Sequence, residues 1–195
     1  MFLKENKSIY LGLHRVASKS IQRNLLEYTD EENQDHQNIV NYEQAESKYG
    51  KPALNKNFVF SFVRNPWDRM VSIFFNIAQT NPQLLYAHNA RTFEDFVNET
   101  TQNRVGALHD FCHSQSSQLK NKFGEMKMVD YIGRYESLVR DYNTVCKTIS
   151  IEHIKKIPKL SKSNHFYYDN YYNEDLKNKV GKFFEDDVDE FKYSF

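Results

Sequence analysis

The chain has 195 residues, of which 26 are lysine or arginine and 26 are aspartate or glutamate, so its formal net charge is zero. The length fits a single domain over residues 1–195, because single domains commonly contain ~100–200 residues. The balanced charge argues against a protein that binds nucleic acid or an anionic membrane over its whole surface. Any basic site must therefore be local.

The cysteines and the apolar segments bear on the compartment of the protein. Cys112 and Cys146 form no Cys-x-x-Cys pair, which argues against a disulfide scaffold or a cysteine-rich zinc site. The N-terminus becomes charged before an apolar stretch of signal-peptide length develops. The longest apolar runs are shorter than the ~18–20 residues that a membrane-spanning helix needs. We therefore expect a cytoplasmic protein with reduced thiols and no membrane span.

The first predicted elements are a strand, a tight loop and a helix. Apolar residues alternate with others over positions 8–13, which is the period of a half-buried strand. Ser18 or Ser20 is the expected N-cap of the following helix. The apolar residues of that helix recur at helical spacing and are Ile21, Leu25 and Leu26.

The same order of elements returns after a polar segment at positions 31–57, which we interpret as a long excursion between core elements. Positions 58–63 carry a short β-rich run that is typical of a buried strand. Asn65 is a candidate cap, and Pro66 suits the first turn of a helix. That helix has one apolar face, formed by Trp67, Met70, Val71, Phe74, Phe75 and Ala78.

Shorter patterns predict the remaining elements. Thr92 and Asp95 resemble a capping box, and positions 128–133 predict a third strand. Because strands alternate with helices, we expect an α/β fold with a largely parallel sheet. Two more helices have apolar faces, formed by Leu138, Tyr142, Val145, Cys146 and Ile149 in one and, after an Asn173 cap, by Leu176, Val180, Phe183, Phe184 and Val188 in the other.

The first strand-to-helix loop carries side chains suited to an anion. In a parallel sheet such loops gather at the carboxyl ends of the strands, where helix N-termini present unsatisfied N–H groups. The loop at positions 14–20 contains Arg15, Ser18, Lys19 and Ser20, which suit phosphate or sulfate. A capped helix with solvated basic side chains is the alternative explanation of the same residues.

The second strand-to-helix loop adds a guanidinium and a hydroxyl. Arg64 follows the predicted strand, and Ser72 lies about two turns into the following helix. An arginine beside a hydroxyl suits a phosphate monoester. The alternative is that Arg64 pairs with Asp68 and that Ser72 lies on the exposed surface of the helix.

A nucleotide kinase or NTPase is the main competing class, because its phosphate loop reads Gly, four residues, then Gly-Lys-Ser/Thr. Lys19 and Ser20 fit that pattern, but Leu13 and Ser18 stand where the glycines belong. Without those glycines the backbone lacks its close approach to a triphosphate. The one candidate for the metal-binding acid, Asp130, does not follow a convincing apolar run.

Residues 60–72 resemble a motif of the sulfotransferases that use 3′-phosphoadenosine 5′-phosphosulfate, especially the carbohydrate O-sulfotransferase branch. The motif is an apolar strand, then Arg-Asn/Asp-Pro, an aromatic residue, Asp-Arg and Ser. The resemblance covers most of the chain and implies a P-loop-like three-layer α/β/α fold with a central, mainly parallel sheet. It also implies that Arg64 and Ser72 bind the 3′-phosphate of the nucleotide.

Residues 13–20 are similar to the 5′-phosphosulfate loop of the same family, usually Pro-Lys-x-x-Gly/Ser-Thr-Ser/Thr. The resemblance implies that Arg15 acts in catalysis at the position of the usual lysine, and that Lys19 replaces the usual threonine. A later segment at positions 159–163 is similar to a loop that closes over the nucleotide. The implied cofactor-binding residues of these two loops are Arg15, Val16, Ala17, Ser18, Lys19, Ser20 and Lys162.

The resemblance further implies in-line transfer of a sulfuryl group to an acceptor hydroxyl without a metal, leaving adenosine 3′,5′-bisphosphate. A histidine is the natural base for the acceptor proton, because its pKa lies near neutrality. His36, His109 and His113 are candidates, and we favour His36 because carbohydrate relatives often place a catalytic histidine before the 3′-phosphate strand. His113 is expected near the substrate together with Gln115.

The acceptor and the activity both have alternatives. A glycan is the preferred acceptor by resemblance, followed by a small hydroxylated metabolite or a lipid, and the sequence indicates no oligomeric state. Arg15 and Lys19 also fit a catalytically inactive homologue that binds a nucleotide or a glycan. A P-loop nucleotide kinase is the third interpretation.

Overall fold

The computed structural model describes residues 1–29, 41–102, 106–126, 129–152, 157 and 166–195. They form a mixed α/β fold with a mainly parallel sheet, which confirms the expected fold class. Internal contacts divide the chain into two compact units. The sheet unit comprises Met1–Arg64 and Gln115–Ser161, and the helical unit comprises Asn65–Ser114 and Lys162–Phe195. A single domain over residues 1–195 stays a prediction.

The sheet has four strands among the described residues, in the spatial order β1-β2-β3-β4. β1 (Phe2–Leu3) runs antiparallel to β2 (Ser8–Leu11), whereas β3 (Phe58–Val63) runs parallel to both β2 and β4 (Tyr131–Arg134). The strand predicted at positions 58–63 is confirmed at both ends. The strand predicted at positions 8–13 is confirmed but shorter, because the chain leaves the sheet after Leu11.

The third predicted strand begins later than expected. Asp130 donates its N–H to the Val59 carbonyl at 2.7 Å and accepts the Val59 N–H on its carboxylate, also at 2.7 Å. Because the Val59 N–H bonds the side chain of Asp130 and not a backbone carbonyl, regular strand pairing starts only at Tyr131. Position 128, where the strand was predicted to begin, lies outside the described residues.

Helices make up most of the remaining described chain. Short 3₁₀ helices occupy Leu26–Tyr28, Tyr135–Ser137 and Tyr168–Tyr171. The α-helices of the described residues are α1 (Ser18–Leu25), α2 (Tyr42–Tyr49), α3 (Lys51–Lys56), α4 (Pro66–Thr80), α5 (Pro82–Ala87), α6 (Phe93–Gln102), α7 (Ala107–Asp110), α8 (Gln115–Leu119), α9 (Leu138–Thr148), α10 (Glu174–Phe183) and α11 (Glu185–Phe191).

Two stretches differ from their predictions. The polar segment at positions 31–57 contains α2 and α3 in its described part, and Asn41 caps α2 by accepting the Gln44 N–H at 2.8 Å. Few of its residues are apolar, so the helical pattern there is weak. Leu26 was expected on the buried face of α1 but is 45% exposed, because α1 ends at Leu25 and the chain turns into a 3₁₀ helix.

In the helical unit the predicted start of α4 is confirmed. The Asn65 side chain accepts the Trp67 N–H at 3.0 Å, and Pro66 occupies the first turn. The Trp67 indole N–H donates to the Lys177 carbonyl at 2.9 Å, and the Tyr172 hydroxyl donates to the Trp67 carbonyl at 2.9 Å. Trp67 therefore links α4 to α10 and to Tyr172, which precedes α10 in the chain.

Two further predicted caps of the helical unit are present. Thr92 and Asp95 form the predicted capping box, with N–H to side-chain distances of 3.0 and 3.1 Å in the two directions. Asn173 accepts the Leu176 N–H at 2.8 Å and caps α10. The apolar stripe that follows Asn173 spans two helices rather than one, because α10 ends at Phe183 and α11 begins at Glu185.

The two cysteines lie in the interior of the protein. Cys112 and Cys146 are both free and buried. Burial raises the pKa of Cys112 to about 12 and the pKa of Cys146 to about 11, so both stay protonated near neutral pH. Within the described residues, no helix combines the length and the apolar character needed to cross a membrane.

Phe62 and Gly133 face each other across β3 and β4 and generate the first testable prediction. A Cβ added at Gly133 would lie 2.4 Å from Cε1 of Phe62. Gly133→Ala should therefore lower the free energy of unfolding by ~1–3 kcal/mol, the usual range for overpacking, in a denaturant titration. In a Phe62→Leu background the added loss should shrink, because the clashing ring edge is gone. An unchanged loss would contradict the steric explanation.

Candidate functional site

The loop between β2 and α1 turns through two residues in the left-handed region. Arg15 and Ala17 have φ angles of 66° and 65°. The Ser18 hydroxyl donates to the Leu13 carbonyl and ties the start of α1 to the segment that follows β2. Such alternating backbone conformations direct successive N–H groups to one side, which is the geometry of anion-binding loops.

α1 begins without the predicted side-chain cap. Ala17 occupies the N-cap position, and no side chain accepts a hydrogen bond there. Ser18 is already helical, and Ser20 is 4% exposed within the helix, so neither is the N-cap. The first turn of α1 contains no acidic residue. No carboxylate of that turn therefore offsets the partial positive charge at the helix N-terminus.

Arg64 reaches this loop from the end of the neighbouring strand. β2 and β3 pair in parallel with Leu11 opposite Ser61, so both chains leave the sheet at the same edge. The Nη1 atom of Arg64 donates to the Arg15 carbonyl at 3.2 Å. The guanidinium carbon of Arg64 also lies 4.1 Å from the ring centroid of Tyr135, within cation–π distance. The two loops predicted to act together therefore meet.

The backbone of Arg64 is held by Gln115. Its Nε2 donates to the Arg64 carbonyl at 2.9 Å, and its Oε1 accepts the Arg64 N–H at 2.9 Å. The Gln115 side chain is fully buried. Gln115 was expected beside the acceptor, and a contact with the acceptor stays a prediction, whereas the structure gives it a backbone partner that sequence analysis missed.

A third arginine follows the same edge of the sheet. Arg134 is the last residue of β4 and pairs in register with Val63 of β3. The Arg134 N–H donates to the Asp141 carboxylate at 2.8 Å, as does the Ser137 hydroxyl at 2.8 Å. Each of the three parallel strands thus has an arginine at or shortly after its end. Arg15 follows β2, Arg64 follows β3, and Arg134 is the last residue of β4.

Asp141 lies close to the end of β4 and accepts several hydrogen bonds. Burial raises the pKa of Asp141, but the Arg134 N–H, Arg140 and Ser137 together bring the pKa below its usual value. The Nε atom of Arg140 lies 2.9 Å from the carboxylate. Asp141 is therefore ionised at neutral pH, and the donors around it offset its charge.

The remaining predicted residues of the 14–20 loop divide into buried and exposed positions. Val16 is buried, Lys19 is exposed, and Ala17 and Ser18 are half-buried. The side chain of Val16 is therefore buried in the core, so any contact of Val16 with an anion would come from its backbone. Lys19 is accessible to a ligand or to solvent.

Ser72 and His113 lie in the helical unit. Ser72 is 1% exposed, so the alternative in which it lies on an exposed helix surface is wrong. His113 is exposed, and its ring lies 5.6 Å from that of His109, perpendicular to it. Their roles toward the 3′-phosphate and the acceptor stay predictions. His36 and Lys162 lie outside the described residues.

Asp130 does not occupy the position that a kinase interpretation requires. The metal-binding acid of a phosphate-loop nucleotide kinase belongs near the phosphates, at the carboxyl ends of the strands. Asp130 precedes β4 and bonds Val59 near the start of β3, so it lies at the opposite edge of the sheet. Among the described residues, no group of three or more His, Cys, Asp or Glu side chains is arranged to hold a metal ion.

Comparison with known proteins gives the class of the chain. Residues 1–194 match the model of the Sulfotransferase family. The chain therefore belongs to the Sulfotransferase family, and this membership supports sulfotransfer as its general activity. A search of curated proteins and a search of solved structures each found no match to the chain.

The left-handed conformation of Ala17 predicts the effect of glycine there. An L-residue in the left-handed region costs ~1–2 kcal/mol relative to its right-handed form. Ala17→Gly removes this cost but makes the unfolded chain more flexible, which offsets part of the gain. The free energy of unfolding should therefore rise by up to ~1 kcal/mol. Ala78→Gly, inside the right-handed helix α4, is the control and should lower stability by ~0.5–1 kcal/mol. A loss of stability in both variants, measured by denaturant titration, would contradict the strain at Ala17.

The lowered pKa of Asp141 predicts how its contribution depends on pH. A carboxylate whose folded pKa lies below its unfolded value stabilises the fold above the unfolded pKa of ~3.9 and loses that effect as the pH falls through the folded pKa. Asp141→Asn should therefore cost ~1–3 kcal/mol at pH 7, with the deficit shrinking in acid. Asp175→Asn removes an exposed ion pair with Lys179 and should cost under ~1 kcal/mol. A deficit for Asp141→Asn that is constant with pH would mean that its charge is not responsible.

Proposed function

We propose that the protein transfers a sulfuryl group from 3′-phosphoadenosine 5′-phosphosulfate to a hydroxyl group of an acceptor, with a carbohydrate as the preferred acceptor class. The observation that carries the proposal is the contact of the Arg64 guanidinium with the Arg15 carbonyl at 3.2 Å. The contact shows that two basic strand-to-helix loops meet at one edge of a parallel sheet. Ligands of open α/β sheets bind at that edge. Membership of the Sulfotransferase family agrees with this assignment.

The residues of the sheet unit fit a ligand that carries separate phosphate groups. The left-handed loop and the first turn of α1 offer N–H groups and no carboxylate, which suits a phosphosulfate. Arg64 stands at the neighbouring strand end, which suits the 3′-phosphate. We infer that Arg15, Ser20 and the N–H groups of the 14–20 loop hold the 5′ side of the donor, and that Arg64 and Ser72 serve the 3′ side.

These residues would act mainly on charge and orientation. When bound, the donor supplies an activated sulfuryl group and a phosphate leaving group. The loop N–H groups, Arg15 and Ser20 would stabilise the negative charge that develops on the bridging oxygen, and their fixed position would spare reorganisation during transfer. A histidine would accept the proton of the acceptor hydroxyl, and His36 and His113 stay the predicted candidates for that role or for contact with the substrate.

A catalytically inactive nucleotide-binding or glycan-binding homologue is the second candidate function. Arg15 and Lys19 favour it, because they stand where the family usually has lysine and threonine. An arginine presents a planar fork of donors instead of a compact ammonium. Transfer of labelled sulfate to any acceptor would exclude this candidate. The acceptor identity, the oligomeric state and the expected cytoplasmic location stay predictions.

Nucleotide titration tests the proposal. The protein should bind adenosine 3′,5′-bisphosphate in a calorimetric titration and should prefer it to ATP with magnesium. Arg64→Ala should weaken bisphosphate binding by ~2–5 kcal/mol, the usual effect of removing one partner of a buried charge contact. Arg91→Ala, which removes an exposed arginine, is the matched control and should leave the affinity unchanged. Equal affinities for the parent and Arg64→Ala would remove Arg64 from the site, and preference for magnesium ATP would overturn the proposal.

A further inference from the structure

Gln115 bonds the backbone of Arg64 through both the oxygen and the nitrogen of its side-chain amide. Gln115 accepts the Arg64 N–H and donates to the Arg64 carbonyl, each at 2.9 Å, across a sequence separation of 51 residues. The side-chain amide of a glutamine presents an N–H donor and an oxygen acceptor on one edge, so it can bond the carbonyl and the N–H of a single residue. Gln115 thus completes for Arg64 the pair of bonds that a neighbouring strand would otherwise make.

The position of Arg64 explains why such a substitute is needed. β3 ends at Val63, and the last register pair between β3 and β4 is Val63 with Arg134. Arg64 follows directly and is only 6% exposed. Buried backbone N–H and carbonyl groups need hydrogen-bond partners, and the fully buried Gln115 supplies one to each. Gln115 therefore bonds the N–H and the carbonyl of Arg64, as a further residue of a neighbouring strand would do.

The other end of the Arg64 side chain is also held. The Tyr135 ring lies under the guanidinium at 4.1 Å, and the Arg15 carbonyl accepts from Nη1 at 3.2 Å. The direction of the side chain depends on where its Cα is fixed, and Gln115 fixes the peptide groups on both sides of that Cα. Because a guanidinium carries five N–H donors in a rigid fork, a small rotation at the backbone moves the whole set of donors.

We propose that Gln115 is a positioning residue for Arg64 and that it sets the selectivity of the site for the 3′-phosphate of the nucleotide. This inference rests on the proposed function, because it takes Arg64 as the ligand of the 3′-phosphate. It gives Gln115 a role that needs no contact with the acceptor. The expected signature is a loss of preference for nucleotides that carry the 3′-phosphate, with no change in affinity for those that lack it.

The test compares two nucleotides that differ only in the 3′-phosphate. Adenosine 3′,5′-bisphosphate and adenosine 5′-monophosphate are titrated calorimetrically against the parent, Gln115→Met, Arg64→Ala and the double variant. Gln115→Met keeps the length of the side chain and removes both hydrogen bonds. We expect it to reduce bisphosphate affinity about tenfold or more, the scale of a charge-assisted contact, while 5′-monophosphate affinity is kept. In the Arg64→Ala background Gln115→Met should cause no further loss.

Gln115→Glu provides a second variant in case Gln115→Met folds poorly. The glutamate keeps an acceptor for the Arg64 N–H but loses the donor to the Arg64 carbonyl when ionised. It should therefore show an intermediate preference for the bisphosphate. Relative to the parent at the same pH, that preference should rise as the pH is lowered, because the protonated acid regains a donor. A purely structural effect of the substitution would not follow the nucleotide or the pH in this way.

The outcomes separate the inference from the proposed function. If the parent does not distinguish the two nucleotides, the proposed 3′-phosphate contact fails, and the inference fails with it. If the parent distinguishes them and a folded Gln115→Met or Gln115→Glu does so equally well, only the inference is overturned. Equal losses for both nucleotides would also overturn it. Loss of bisphosphate selectivity that depends on Arg64 supports it.

Discussion

The parallel pairing of β2 with β3 is the constraint on which the site depends. Parallel strands leave the sheet at the same edge, so the residues that follow Leu11 and Val63 are brought together whatever their separation in sequence. The contact of Arg64 with the Arg15 carbonyl follows from that geometry. An antiparallel pairing of the same two strands would put the two basic loops at opposite edges of the sheet, where no single nucleotide could meet both.

Local chemistry made the elements that flank the site predictable. Positions 58–63 form a strand with the expected bounds, and Asn65 caps α4 as its residue type indicates. The start of α1 was not predictable in the same way. Ser18 has the residue type of a cap, but its hydroxyl bonds the Leu13 carbonyl, and Ala17 takes the N-cap position in a conformation that its sequence does not signal. Tertiary closure of the loop overrides the capping preference there.

The candidate site was predictable in its charges but not in its supports. Arginine, lysine and serine after strands predict an anion site from residue type alone, whereas Gln115 and Tyr135 act through contacts formed only in the folded chain. A glutamine that pairs with a peptide group and one that binds an acceptor look alike in sequence. The pairing with Arg64 becomes evident only when β3 and β4 are seen to end together at Val63 and Arg134, one residue before Arg64.

The choice of arginine at position 64 follows from how deeply the position is buried. At 6% exposure a lysine ammonium would be destabilised by desolvation and its pKa would fall, so part of its charge would be lost at neutral pH. A guanidinium keeps its charge when buried, stacks on an aromatic face and donates in several directions at once. Arg64 uses the first property at its buried position, the second on Tyr135 and the third toward the Arg15 carbonyl. A neutral chain can thereby hold a fixed positive charge at one edge of its sheet without an excess of basic residues elsewhere.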